Sequence, residues 1–515
     1  MQLTIKYSPD ITIKSKYVRK EMSRRLEQNL NAGLKKFLKK EDFTLQRQFD
    51  RLVFTLQNPE NSGDHKGMPL QKKIYDVFKF TSGISYFQES EKHHFESFED
   101  AFKIILEKKQ DTLKNPENSE KKTFRVSVRR SGYHAFTSVQ FEKYIGGGLA
   151  QHTGAKVKLK GFDEEVRIEV KDDFFFLLSQ KIQGIGGLPL FSEKRVLSLI
   201  SGGFDSAVSP FLLMRKGAPT DFLFFNLGGL DHETGVQEIS HFIADRFSAG
   251  YDPNFISIPF MPIIRELMNK KMKPKYRGIL LKRCMMRVAE MVCNNMDHQA
   301  IITGESLSQV SSQTLQNLKV IENALKEVPL YRPLFGLNKQ EIISFTKMMG
   351  TEEFSAKMPE YCGVVSDKPS TRAKQADIEY EEAKFPLELL EKVFISRNIE
   401  KLSKLKQEEK TPLKTISSLD SFPEISEKPE DFVIIDLREP EVFEEKPLTL
   451  KNSEIEILNI PFFEIDEKFP ELDQTKQYIF TCSKGVMSQS HSRLLQRKGF
   501  NNISIVETKS AQCEI

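Results

Sequence analysis

Five cysteines in 515 residues (Cys284, Cys293, Cys362, Cys482 and Cys513) are too few and too scattered for a disulfide framework. There is no CxxC pair, so neither a zinc ribbon nor a thiol-ligated iron–sulfur cluster is expected. No apolar run approaches the roughly 18 residues a membrane helix needs, and the opening MQLTIKYSPDITIKSKYVRK alternates like a strand instead of carrying a signal peptide's apolar block. A cytoplasmic protein with no membrane partner is expected. His93, His94, His134, His152 and His241 lack metal-ligand spacing, so no protein-held metal centre is predicted. Internal repeats and low-complexity tracts are also missing. Neither charge dominates: the net is +4, but residues 1–150 hold 28 Lys/Arg against 19 Asp/Glu and residues 401–515 hold 16 against 21. The basic front suits a polyanion such as RNA, with solvated helix faces as the plain alternative.

What is present is a chain long enough for roughly three to four domains, with 39% hydrophobic content to fill their cores. Val18, Met22, Leu26, Leu30, Leu34 and Leu38 recur every fourth residue among Lys and Arg, which predicts an amphipathic helix after an initial strand. Strands return in FTLQRQFDRLVFTLQ, closing a small α+β unit over 1–72. A second unit, 73–180, holds helices at QKKIYDVFKF and SFEDAFKIILEKKQ and the strand FRVSVRR, which presents Arg125, Arg129 and Arg130. In it Thr137 and Gln140 form a capping box, Gly146 to Gly148 read as a helix end, and VRIEV and FFFLLS are closing strands. From 181 to 400, VLSLI, DFLFFNLG, NFISIPF, QAIITGE and PLYRPLFG each precede a helical stretch, the rhythm of a doubly wound parallel sheet. A charged linker is expected over 401–417, then an α/β domain over 418–515. Cys284 and Cys293, nine residues apart on one probable helix, are expected to be packing residues.

The run RVLSLISGGFDSAVSPFLLMRKG joins a strand to a helix through a glycine turn. Such a turn offers unpaired N–H groups and a positive dipole end to an anion, and Gly202 and Gly203 allow close backbone approach. Ser201 and Ser206 add hydroxyls. Asp205 beside phosphates is unfavourable without a divalent cation, so Mg2+ is implied. No Walker lysine follows. The string SGGFDS resembles the signature of the pyrophosphatase-loop (PP-loop) enzymes. That resemblance implies cleavage of ATP between the α and β phosphates, with adenylation of an acceptor.

In YIFTCSKGVMSQSHSRLL, Cys482 ends a buried strand and opens a loop leading to a helix, where N–H groups and Lys484 can stabilise a thiolate or persulfide. With IIDLREPEVFE upstream (Asp436, Arg438, Glu441), the segment 415–515 resembles a rhodanese domain. Met487 and Ser488 stand where many rhodaneses carry a late-loop arginine, which weighs against thiosulfate as a substrate. Cys362 in KMPEYCGVVSDKPSTRAK reads by position alone as structural. Read together, FRVSVRRSGYHAFTSVQFEKYIGGGLAQ, the PP loop, FFNLGG, ITGESLSQVSSQTLQNL, RPLFGLNKQEII and MPEYCGVVS are similar to the tRNA 4-thiouridine synthetase family in its long, rhodanese-bearing form, over nearly the whole chain.

The resemblance implies an α/β and α+β multidomain fold: a ferredoxin-like unit, a THUMP domain gripping tRNA, a PP-loop domain and a rhodanese. It implies that a cysteine desulfurase loads persulfide onto Cys482, that O4 of uridine 8 is adenylated, and that sulfur displaces AMP. Cys362 then forms a disulfide with Cys482, which a reductant resets. It further implies delivery of sulfur to a small sulfur-carrier protein for thiamine thiazole synthesis, and leaves room for a homodimer. Leu199, Ile200, Lys282, Gly304 and Gln313 match nucleotide contacts, and Lys339 is expected to neutralise charge on the phosphates. The basic stretch 269–278 is a candidate RNA contact. Two competing readings are a PP-loop amide synthetase, for which no glutaminase domain is evident, and a persulfide relay without catalysis, for which an ATP loop would be superfluous.

Overall fold

The computed structural model describes all residues except 49–50, 58–68, 115–121, 269–271, 357, 359–364, 366–367, 406–414, 417–427, 449–454, 484 and 507–515. The chain divides into two compact units, one of residues 1–192 with 215–217 and one of 193–214 with 218–515.

In the first unit the fourfold apolar spacing forms the helix Lys16–Leu34, with Leu26, Leu30 and Leu34 fully buried and Val18 left exposed. It packs on an antiparallel sheet in the order Phe43–Arg47, Arg51–Leu56, Gln2–Tyr7, Ile84–His94, the arrangement of a ferredoxin-like unit. The expected break at residue 72 falls inside the helix Leu70–Phe80. Ile74 and Phe78 of that helix lie in the same core as Leu26 and Phe54, so the first subdomain continues past the break. The long strand Ile84–His94 then serves two subdomains. Its first half pairs with Gln2–Tyr7, and Ser90 to His94 pair with Phe174–Leu178.

The second sheet continues through Glu164–Lys171 and Thr123–Ser131, covered by the helices Phe98–Leu113 and Ser138–Thr153 around a core of Ile105, Phe124, Phe141 and Phe175. The Thr137–Gln140 capping box is present. Gly146 to Gly148, read from sequence as a helix end, lie within Ser138–Thr153, which stops at Gly154 with φ +74°. A Cβ at Gly148 would enter the Phe102 ring, so this glycine serves close approach of the two helices. The boundary expected at 181 also moves. Strand Ile182–Gly186 pairs with Ile84–His94, with Phe87 opposite Ile182, and so belongs to the first unit.

The second unit holds two parallel sheets. The first runs Leu330–Tyr331, Ile301–Ile302, Val196–Leu199, Thr220–Asn226, Asn254–Pro259, all parallel, as the strand–helix rhythm predicts. Asn398–Lys401 adds an antiparallel edge. Chain order reverses between Val196–Leu199 and Ile301–Ile302, which creates the switch point beyond whose strand ends such folds bind ligands. Cys284 and Cys293 are packed in the helix Pro274–Met296, burial pushing both thiols up to about 12. The second sheet runs Thr415–Ile416, Ile503–Val506, Gln477–Thr481, Phe432–Asp436, Glu456–Asn459, all parallel. Its edge strand begins inside the stretch expected to be linker. One apolar core runs from Leu223 and Ile256 of the first sheet to Ile435 and Phe480 of the second. Among the described residues no helix is long and apolar enough to cross a membrane.

At Gly184 a Cβ would lie 2.5 Å from the Ile84 carbonyl oxygen, a backbone atom that cannot swing aside. Gly184→Ala is therefore expected to destabilise the first unit by about 1–3 kcal/mol, seen in urea as an earlier transition for that unit alone. An unchanged transition would detach Ile182–Gly186 from its sheet.

Candidate active site

The strand Val196–Leu199 ends under a hydrogen bond from Ile200 N–H to the Leu223 carbonyl, which fixes where the turn begins. Leu199 is half-buried and Ile200 is buried. Gly202 then takes φ +85°, a left-handed conformation that favours glycine, and the helix Phe204–Arg215 starts two residues on. Ser206 ties the turn from within: its Oγ accepts from Ser201 N–H at 3.2 Å and donates to the Gly203 carbonyl at 2.9 Å, while Ser201 Oγ lies 3.2 Å away. Serine at both positions is thus used for turn geometry as well as for offering a hydroxyl.

Gly304 is brought against this turn. A Cβ there would stand 2.7 Å from the Asp205 carbonyl carbon and 2.8 Å from Ser206 N, so the strand end after Ile301–Ile302 is pressed onto the first turn of the phosphate helix. The next residue, Glu305, is buried and holds Lys282 Nζ at 3.0 Å and Arg332 Nε at 2.8 Å. Burial pushes the Glu305 carboxyl up, but the two cations outweigh it and hold it below its ordinary range. Lys282 is therefore held beside Gly304 by an ion pair and is no free helix charge. Gln313, on the short turn Ser311–Gln313, is buried with its Oε1 lacking a hydrogen-bond partner among the described residues, as a residue awaiting a polar ligand would be.

Lys339 is not drawn in. It is exposed at the start of the helix Lys339–Met349, behind the Asn338–Glu341 capping box. Cys362, Lys484 and Cys513 lie outside the described residues. Arg277, in the stretch read as an RNA contact, is buried and paired with Glu439 at 3.1 Å, and Lys273 pairs with Glu381 at 3.5 Å.

Two residues of the site escape sequence reasoning. His232 donates from Nε2 to the Ser201 carbonyl at 3.1 Å and meets the Phe224 ring edge-on. Burial holds it down to about 4, against the weaker opposing effect of that hydrogen bond, so at neutral pH it is an uncharged donor bracing the turn from behind. Nothing in LGGLDHETG marks a lone histidine as buried. Met358 is the other. Its Cε would lie 2.7 Å from a Cβ on Gly202 and its Sδ 2.9 Å from one on Gly235, so both glycines make room for this side chain.

At the second loop, Cys482 follows strand Gln477–Thr481 and is 7% exposed. Ser488 N–H points at its Sγ at 3.5 Å, Ser488 Oγ is 3.6 Å from the sulfur, and that hydroxyl donates to the Gly485 carbonyl at 3.0 Å. Gly485, with φ +71°, turns the chain into the helix Val486–Arg497. Arg438 folds back on buried Asp436 at 2.6 Å and so shapes the neighbouring strand end.

A model described as thiamine biosynthesis protein (ThiI) matches residues 191–387, a THUMP domain matches 94–179 and a rhodanese-like domain matches 418–508. These matches define a multidomain transferase. A tRNA sulfurtransferase of Shewanella baltica is 37% identical over 98% of this chain and 99% of the relative, and one of Shewanella amazonensis is 38% identical over the same shares. The chain belongs to the tRNA sulfurtransferase family. A solved 4-thiouridine synthetase–RNA complex with bound ATP is similar in structure at a TM-score of 0.64 and 25% identity, covering 78% of this chain and 99% of that one.

The depressed His232 gives a pH signature. The unfolded imidazole takes a proton near its ordinary 6.5, whereas the folded one resists protonation until about 4. Stability is therefore whole above pH 6.5 and is lost as pH falls through that window, by roughly 3 kcal/mol at its end. His232→Gln keeps a donor near the Nε2 position without titrating. Urea unfolding at pH 7 and pH 5 is expected to show a smaller acid loss in the variant than in the parent, and equal losses would contradict the assignment.

Proposed function

We propose that the protein adenylates O4 of uridine 8 in tRNA with ATP and replaces that oxygen with sulfur carried on Cys482. The observation that carries this reading is the turn after Ile200, where Gly202 stands at φ +85° ahead of the helix Phe204–Arg215 and Gly304 is pressed against the first turn of that helix.

The residues assign themselves by chemistry. Backbone N–H groups of Gly202 and Gly203 and of the helix start receive phosphate oxygens. Mg2+ fits a site of one protein carboxylate plus phosphate oxygens, and Asp205 is the carboxylate in place for it. Lys282, fixed by Glu305, supplies positive charge at the switch point, Gln313 offers an unused amide oxygen to the base or ribose, and Lys339 is assigned to the phosphates. Attack of uridine O4 on the α-phosphorus breaks the α–β bond and releases pyrophosphate. The terminal sulfur of the Cys482 persulfide then attacks C4 and AMP leaves with the former O4. Cys362 thiolate attacks Cys482 Sγ, the sulfur–sulfur bond breaks with its electron pair going to the transferred sulfur, and 4-thiouridine is released. The resulting Cys362–Cys482 disulfide needs a two-electron thiol reductant for the next turnover.

A cysteine desulfurase is the proposed sulfur donor, and the small sulfur-carrier protein of thiazole synthesis is a second proposed acceptor, its C-terminal carboxylate taking the place of uridine O4. The similarity of residues 191–387 to the thiamine biosynthesis model supports that second output. A cytoplasmic location and a homodimer remain part of the same proposal.

With unmodified tRNA, ATP, Mg2+ and a persulfide source, AMP is the expected product, and ADP would exclude adenylation. Asp205→Ala is expected to lower AMP release at least about 100-fold, on the scale of one lost charge-stabilising group, while tRNA affinity stays within about twofold. Cys482→Ala is expected to abolish the 4-thiouridine absorbance. Full thiolation in that variant would remove the carrier role.

A further inference from the structure

The helix Gly229–Phe247 touches both loops through its first turn. At its start, the Gly228 carbonyl accepts a hydrogen bond from Ser490 Oγ, and Gly229, with φ +70°, presents its bare Cα to the same hydroxyl. Ser490 lies on the helix Val486–Arg497, two residues beyond Ser488, whose N–H points at Cys482 Sγ. Four residues after Gly228, His232 donates to the Ser201 carbonyl in the phosphate turn. The phosphate turn and the cysteine loop are thus joined by two hydrogen bonds and one rigid helical turn of roughly 5.4 Å.

Both ends of this bridge are buried: Ser490 is 7% exposed and His232 is 5% exposed. Elsewhere, Arg277 pairs with Glu439 and Arg265 with Glu467, two further ties between the segments that carry the two loops. Beside the contact lies a cavity of about 150 Å³ lined in part by Asn226, Gly229, Pro259, Met261, Ser490 and His491. The pocket is half open to solvent.

We propose that Ser490 is a positioning residue for the sulfur transfer: it seats the cysteine loop on the helix that braces the phosphate turn, so that nucleotide occupancy alters the reactivity of Cys482. This coupling rests on the nucleotide reading of the SGGFDS turn.

The test uses the full-length protein with α,β-methylene-ATP and Mg2+, its binding measured by calorimetry, and the alkylation rate of Cys482 read by mass spectrometry of its own peptide. In the parent, saturating nucleotide is expected to change the Cys482 rate by about fivefold or more, the lower end of ordinary coupling. In Ser490→Ala the nucleotide still binds but the change collapses, and Ser490→Thr restores it. Bound nucleotide without a rate change in the parent, or a full change in Ser490→Ala, overturns the proposal. Failure to bind nucleotide sinks the ATP reading instead. The coupling then stands or falls on hydrogen exchange without ligand: Ser490→Ala is expected to speed exchange of the amides of 201–206, and unchanged exchange overturns it.

Discussion

The rest of the structure depends on one constraint, that the turn from Ser201 to Gly203 be held rigid from within and behind, its Ser201 N–H taken by Ser206, while Gly202 and Gly203 carry no side chain on the strand-end side. Side chains cannot supply the rigidity from the ligand side without filling the site. It comes from behind and beneath: the Ser206 hydroxyl bridges the turn internally, His232 holds the Ser201 carbonyl, and Gly304 lets a neighbouring strand end press on the backbone of Asp205. The parallel sheet makes this feasible, because its strand ends bring residues distant in sequence to one edge. Burying a neutral histidine serves better here than burying a charged one, since a cation so close would compete with the phosphates' own counterion.

The same economy governs the cations. Lys282 and Arg332 converge on the Glu305 carboxylate inside the sheet edge. Without Glu305, two buried positive charges would face each other at a cost of several kcal/mol. With it, and with Glu322 at 2.6 Å from the other side of Arg332, two cations are matched by two carboxylates. The sulfur loop meets a parallel demand with uncharged groups. Ser488 N–H points at Cys482 Sγ and the Ser488 hydroxyl accepts from the thiol, in the loop region where many rhodaneses have an arginine, so the sulfur is held without an ion pair.

Much of this was legible in the sequence where function is local. SGGFDS fixes a strand, a turn and a helix within six residues, the Thr137–Gln140 cap spans four, and Leu26, Leu30 and Leu34 reveal a helix face by spacing alone. What failed were features decided by partners far along the chain. Leu70–Phe80 joins the first core because Ile74 and Phe78 meet Phe54, and no property of QKKIYDVFKF shows that. Gly146 to Gly148 carry the composition of a helix end, yet they lie within a helix, and Phe102 across the interface decides the use of Gly148. Arg277 sits in a basic run and is nevertheless buried against Glu439, 162 residues away. His232 and Met358 belong to the same class: both act on the phosphate turn through tertiary contacts that leave no mark on neighbouring residues.

Burial of Cys482 at 7% exposure fits the chemistry it is assigned. A persulfide is consumed by water-borne thiols, and an adenylated base is consumed by water, so each reactive group must be sheltered until the other arrives. Shelter at both ends requires movement between loading and transfer, and movement requires that the two loops be released together rather than one at a time. A single helical turn touching both provides such joint release, because Gly228 and His232 cannot shift independently within one turn of hydrogen-bonded backbone.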